Sequence, residues 1–259
     1  MSQITFNALI DFPLVEPGDN LATQILESLA RSQLSLADED VLVVAQKVVS
    51  KSEDRYAYLN DVVASEEAKN LAVQVDKDPR LVELILSESK EVVRQRPGVV
   101  IVEHKLGYVH ANAGIDKSNI SSEDDNPRVL LLPLDSDVSA ANLRKDLYKI
   151  TGKTVNIIIN DSAGRAWRNG TVGMAIGSSG FEVLEDLIGR EDLYDRPLEI
   201  TQVAVADELA AGASFLMGQA DEGAPVVLIK GAKLSAVKSS NSDSGISTLI
   251  RDKAVDMFR

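Results

Sequence analysis

The sequence predicts a mixed α/β (α+β) fold, and three observations carry that expectation. Short apolar runs rich in β-branched residues recur along the chain. Longer stretches repeat apolar residues every four positions, and the two kinds of segment alternate. The first helix is expected over residues 20–31, with Asp19 as its N-cap and Leu21, Ile25 and Leu29 forming one buried stripe. Val41-Leu42-Val43-Val44 reads as a buried strand. Asp78-Pro79 then opens a long helix, because proline at the first helical position loses no hydrogen bond. Pro97-Gly98 is expected to end that helix, and residues 99–103 to start another strand. Further strands are expected at 129–132, 155–159 and 226–229, and helices at 139–150 and 205–217. The last of these is full of alanine and glycine, which lets another backbone come close. A polar run at 239–245 precedes a short C-terminal helix. The whole of 1–259 reads as one unit. The polar stretch 121–126 is the best candidate for a boundary between two interlocked subdomains, although a loop within one domain would look the same.

Composition narrows the chemistry. The chain has 259 residues, 44% hydrophobic and 26% charged, which describes an ordinary globular protein able to bury a sizeable core. No apolar stretch approaches the ~20 residues that span a bilayer, and the start lacks the features of a secretory signal, so a cytoplasmic location is expected. There are no cysteines, which excludes disulfides, zinc–thiolate sites, iron–sulfur clusters and cysteine nucleophiles. With two histidines, His104 and His110, a multi-histidine metal site is excluded as well. Any metal must be held by oxygen, which favours magnesium, manganese or calcium. A net charge of −13 argues against nucleic acid and anionic membranes as the main partners. It leaves a nucleotide open, since a metal and a few local cations bind phosphate.

Four segments could carry chemistry. In residues 157–170 an apolar strand runs into Asp161, Ser162, Gly164, Arg165 and Arg168. Asp161 and Ser162 offer adjacent hard oxygens, and the arginines offer forks for phosphate or carboxylate. An ordinary polar loop after a strand would contain the same residues. The run Asn112-Ala113-Gly114-Ile115-Asp116 adds a second carboxylate, followed by Lys117 and Asn119; an Asx-turn or helix cap also explains it. Gln46-Lys47-Val48-Val49-Ser50-Lys51 follows the Val41–Val44 strand and puts two lysines four apart, either a phosphate site or a solvated basic turn. Gly218, Gln219, Ala220, Asp221, Glu222 and Gly223 form a loop where backbone can approach a ligand, although a tight connection needs glycine anyway. His104 and His110 face the same side if their segment is one regular strand, and a structural role or an acceptor contact is expected of both. There is no Walker-type phosphate loop, no Gly-x-Gly-x-x-Gly and no Gly-x-Ser-x-Gly elbow.

Taken in order, these segments resemble the coenzyme F420-0:L-glutamate ligase (γ-glutamyl ligase) family. The likeness runs from Phe12-Pro13-Leu14-Val15-Glu16-Pro17-Gly18-Asp19 to Pro225-Val226-Val227-Leu228-Ile229-Lys230-Gly231. Between them lie Asn112-Ala113-Gly114-Ile115-Asp116, Gly164-Arg165-x-Trp167-Arg168-x-Gly170, Ile188-Gly189-Arg190-x-Asp192-Leu193-Tyr194 and Val205-Ala206-Asp207-Glu208. The resemblance implies a family-specific fold built as an intertwined homodimer. It implies a ligase that uses GTP with Mg2+ or Mn2+ to attach L-glutamate to coenzyme F420-0, a phosphorylated deazaflavin with a lactyl carboxylate. It also implies Asp116, Asp161, Ser162 and Gln219 as metal ligands, with Arg165 and Arg168 joining the two aspartates in catalysis. Nucleotide contacts would fall on Phe12, Pro13, Leu14, Val15, Gln46, Lys47, Lys51, Asn119 and the 218–223 loop. Gln46-Lys47 stands where smaller hydroxyl residues are often seen, and Gln219 where some members carry glutamate. The flavin-reductase-like extension that some members carry is not present, so a stand-alone ligase is expected. The same amide-forming chemistry on another carboxylate, or a non-catalytic nucleotide- or metal-binding protein on this scaffold, are the competing readings.

Overall fold

A computed structural model describes residues 3–237 and 245–258; the polar run at 239–244 lies outside the described residues. In chain order, β1 (Thr5–Ala8), α1 (Leu21–Arg31), β2 (Val41–Ala45) and α2 (Gln46–Ser52) come first. They are followed by β3 (Tyr56–Tyr58), α3 (Glu66–Val75), α4 (Pro79–Ser87), β4 (Ser89–Arg96), β5 (Val99–His104), β6 (Val109–Ala111) and β7 (Arg128–Leu130). Then come α5 (Ser136–Thr151), β8 (Asn156–Arg165), β9 (Arg168–Ser179), β10 (Glu185–Asp186), β11 (Gln202–Val203), α6 (Val205–Met217) and β12 (Val226–Lys230). The fold is mixed α/β, as the alternation of patterns predicts.

The main sheet has the order β1-β12-β2-β8-β9; β2 and β8 run parallel and the other neighbours antiparallel. Its central strands are apolar on both faces because both faces are covered. Leu42, Val44, Ile157 and Ile159 pack with Ile25 and Leu29 of α1 and Leu143 and Leu147 of α5. The alternate residues Val41, Val43 and Ile158 pack with Ala206, Ala210 and Ala213 of α6. A second cluster, around Val82, Ile85, Val100, Val102 and Val129, joins α3 and α4 to the β4-β5-β6 sheet and the β3–β7 pair.

Close packing on the main sheet depends on β9. A Cβ on Gly177 would lie 2.4 Å from the Ser136 carbonyl oxygen at the start of α5, a contact that only backbone movement can relieve. Gly177→Ala is therefore expected to cost about 2–3 kcal/mol of stability, or ~5 °C in Tm. A thermal melt indistinguishable from wild type would contradict the close approach.

Several boundaries differ from the sequence expectation. Asn20, not Asp19, caps α1, accepting from the Thr23 N–H; Asp19 accepts from the Glu16 N–H and Gln24 Nε2 one step earlier. Asp78 and Pro79 do start α4, but it stops at Ser87 instead of running to Pro97. The Val92-Val93 stretch instead forms β4, paired with β5 in a hairpin that turns at Pro97-Gly98. Partner pairing available only in three dimensions overrides the helical start signal there. His104 ends β5 and His110 lies in β6, so they do not share one strand. The segment after Ile159 is not a loop: β8 continues to Arg165 and pairs with β9 along its length.

Candidate functional site

A cavity of about 830 Å³ opens where the two parallel strands part company. β2 ends at Ala45, opposite Asn160 of β8. Beyond that point β8 has lost β2 as its neighbour, and Asp161 and Ser162 line the cavity. α2 begins directly after Ala45, so Gln46, Lys47 and Lys51 reach the same space. The ends of parallel strands are where ligands gather in such sheets.

Asp116 arrives from the second cluster. Its backbone exchanges two hydrogen bonds with Leu130, at 2.9 and 3.0 Å. Just before it, Asn112, Ala113 and Gly114 all adopt left-handed φ values of 51°, 55° and 67°. Left-handed backbone costs an alanine about 1–2 kcal/mol, so this turn stores strain to present the next residues. On Gly114 a Cβ would lie 2.6 Å from the Leu132 side chain, which leaves glycine as the residue that fits.

The site's polar groups then meet. Gln46 Nε2 donates to Asp116 Oδ2 at 2.6 Å, and Lys47 Nζ lies 3.7 Å from Asp116 Oδ1 while donating to Ser118 Oγ at 3.0 Å. The Ser162 N–H donates to Asp161 Oδ1 at 2.7 Å, and Ser162 Oγ donates to Gln219 Oε1 at 2.6 Å. Lys51 Nζ donates to the Asn119 carbonyl at 2.9 Å, and Asn119 Nδ2 donates to the Ala220 carbonyl at 2.7 Å. That chain ties α2, the Asp116 segment and the 218–223 loop into one rim. Phe12, Pro13, Leu14 and Val15 form another wall, and Gly218, Gln219, Ala220, Asp221, Glu222 and Gly223 all line the cavity.

Electrostatics mark the site as built for charge. Burial pushes the Asp116 carboxyl up to about 6; the Asp161 charge adds to this and the Lys47 ammonium opposes it. Burial and the neighbouring Lys47 push the Lys51 ammonium down. Two carboxylates and two lysines thus face one cavity, each pair under like-charge strain that a cation and an anion would relieve.

The residues fit a divalent cation carried with phosphate. Among the described residues no three His, Asp or Glu side chains form a ready-made metal cage. Asp116, Asp161, Ser162 and Gln219 offer two carboxylates, a hydroxyl and an amide oxygen. Magnesium and manganese suit such a set, taking one or two carboxylates and completing their shell with water and phosphate oxygens.

His110, of which a structural role or an acceptor contact is expected, belongs to the site too. Its Nε2 lies 3.0 Å from Asp161 Oδ2 without an aligned hydrogen bond, and Nδ1 lies 3.0 Å from its neighbour's carbonyl, that of Ala111. Burial works to lower its pKa, but the adjacent carboxylate outweighs burial and raises it. The available signal was its position two residues before Asn112, at the entry to the Asp116 segment. His104 is structural: it stacks on Tyr108 at 5.1 Å, accepts the Leu106 N–H on Nδ1, and is pushed down to about 4 by burial. Arg165 and Arg168 are not brought to the cavity. They flank the exposed β8–β9 turn around Trp167, where Arg165 Nη1 donates to the Gly170 carbonyl at 3.1 Å.

Known proteins share this chain's sequence over nearly its whole length. It is 43% identical over 247 residues to a coenzyme F420:L-glutamate ligase of Methanothermobacter thermautotrophicus, covering 95% of each chain. Proteins of the same name from Methanocaldococcus jannaschii and Archaeoglobus fulgidus are 41% and 40% identical, over 96% and 95% of this chain and 95% and 93% of theirs. Residues 9–231 match the family described as F420-0:Gamma-glutamyl ligase, a span that includes every cavity-lining residue named above. The chain belongs to the F420-0:gamma-glutamyl ligase family.

Proposed function

We propose that this chain joins L-glutamate to the lactyl carboxylate of coenzyme F420-0, and then adds further γ-linked glutamates, with GTP as the energy source and Mg2+ or Mn2+ as the metal. Family membership makes it a ligase that forms carbon–nitrogen bonds in coenzyme F420 biosynthesis. The observation that carries the nucleotide and metal reading is the meeting of Asp116 and Asp161 with Lys47 and Lys51 around one cavity. No described helix is long and apolar enough to cross a membrane. A cytoplasmic location is part of the proposal.

A carboxylate resists attack by an amine because oxide is a poor leaving group. The acceptor oxygen first takes the γ-phosphoryl group: an O–P bond forms, the bond to the β-phosphate breaks and GDP leaves. The glutamate ammonium loses one proton to solvent, its amine attacks the acyl carbon, the C–O bond to phosphate breaks, and the second nitrogen proton passes to solvent as the amide forms. Lys47 and Lys51 hold phosphate oxygens, and the glycines of the 218–223 loop let backbone approach the nucleotide. Asp116 and Asp161 would hold the metal, which when bound would supply positive charge against the charge developing on the transferred phosphoryl group. Fixed groups in a shielded cavity act mainly by electrostatics and positioning.

Trapping tests the intermediate. With hydroxylamine in place of glutamate, the acceptor hydroxamate is expected to accumulate together with GDP. Normal glutamate addition without any hydroxamate would rule out an acyl phosphate exposed to solvent nucleophiles.

The chain is also proposed to act as a homodimer. Arg165 lies four strand residues beyond Asp161, about 13 Å along β8. An arm of that length ending in Arg165, Trp167 and Arg168 suits a role in a partner's cavity better than in its own.

A further inference from the structure

Every oxygen assigned to the metal has a protein partner. Asp116 Oδ2 is held by Gln46, and Oδ1 faces Lys47 at 3.7 Å. Asp161 Oδ1 accepts from its own chain at the Ser162 N–H, and Oδ2 faces His110 at 3.0 Å. Ser162 Oγ and Gln219 Oε1 satisfy each other at 2.6 Å. Among these partners Lys47 is the permanent cation. It stands where one charge of a divalent metal would otherwise act, and Ser118 Oγ steadies it there at 3.0 Å.

We propose that Lys47 is a placeholder cation that exchanges Asp116 for a nucleotide phosphate, so that metal and nucleotide bind this site together and metal alone binds poorly. This rests on the metal and nucleotide assignments of the proposed function and adds a coupling between them. With Lys47 against Asp116, a divalent cation entering alone meets a carboxylate already neutralised and an ammonium within a few ångströms. A nucleotide triphosphate removes both obstacles, because its oxygens draw the ammonium away and supply ligands to the cation. The flexible four-carbon stem of lysine permits the exchange. Lys51 cannot do the same from its position, since it donates to the Asn119 carbonyl and not to a carboxylate. The lysines of α2 therefore divide the work: Lys51 holds the rim and Lys47 moves.

The coupling is measurable without turnover. Mn2+ binding to the intact protein, followed by loss of the free-ion paramagnetic resonance signal, is compared with and without GDP. Wild type is expected to bind Mn2+ weakly alone and at least about tenfold more tightly with GDP. Lys47→Met is expected to bind Mn2+ alone about tenfold more tightly than wild type, with most of the GDP effect gone. Lys51→Met, which removes the same charge, is expected to weaken GDP binding without tightening Mn2+. Equal tightening by both variants, or none by Lys47→Met, would overturn the exchange. Asp116→Asn separates this from failure of the site itself. If it binds Mn2+ as wild type does, the metal assignment fails; if it loses Mn2+ while Lys47→Met has no effect, only the exchange fails.

Discussion

Asp116→Asn is expected to abolish glutamate addition, by about a thousandfold or more, while making the ligand-free protein more resistant to heat at pH 7. The loss follows from removing one of the two carboxylates proposed to hold the metal, whose charge stabilisation would be worth several kcal/mol. The gain follows from the burial that pushes this carboxyl up to about 6. A carboxyl raised in the folded state above its ordinary value of 3.8 binds a proton more readily folded than unfolded. Its contribution is fully present below pH ~4 and is lost as the pH rises through about 6. At pH 7 the buried charge therefore costs the wild type about 3 kcal/mol, which an uncharged amide of the same shape avoids. A melting temperature roughly 6–10 °C higher at pH 7, and little difference at pH 4, are the expected readings. Equal melting at both pH values would mean that Asp116 is not strained by its surroundings. The same exchange at Asp161 is expected to be as damaging to turnover.

Two inactive variants are expected to rescue one another when mixed. Asp161→Asn spoils the cavity, and the double change Arg165→Ala, Arg168→Ala spoils only the arm. If the arm serves the partner, each mixed dimer holds one site with a normal cavity and a normal arm, and one with both defects. With mixed dimers making up half the population, about a quarter of wild-type activity should return after the subunits are exchanged by mild denaturation. Arms that serve their own cavity, or none, would give no recovery. Activity in the double arginine variant alone would remove these residues from the reaction.

Much of the scaffold was legible in sequence because the central strands are buried on both faces. Val41–Val44 and 226–229 could be read without knowing their neighbours, and the alanine-rich α6 matched its expected limits. Hairpins were harder. The β4 stretch has a helical start signal before it and charged residues on its open side, and pairing with β5 is a non-local fact. The same applies to residues 160–165, whose polar side chains suggest a loop until β9 is seen beside them. The cavity residues were recoverable from four separate segments because each combines charge or glycine with a strand end. Their convergence was not: Asp116 and Gln46 are seventy positions apart and meet at 2.6 Å. The pairing of His110 with Asp161 was not legible because the two lie in different sheets; the position of His110 two residues before Asn112 was the one signal available.

The most direct measurement is incubation of the purified protein with GTP, Mn2+, L-glutamate and the glutamate-free deazaflavin, followed by mass spectrometry of the acceptor. Additions in steps of one glutamate residue, absent when either GTP or metal is left out, are the expected result, and the number of steps gives the length of the chain added. An unchanged acceptor, from a protein that binds GTP and Mn2+ in the same buffer, would contradict the assigned acceptor.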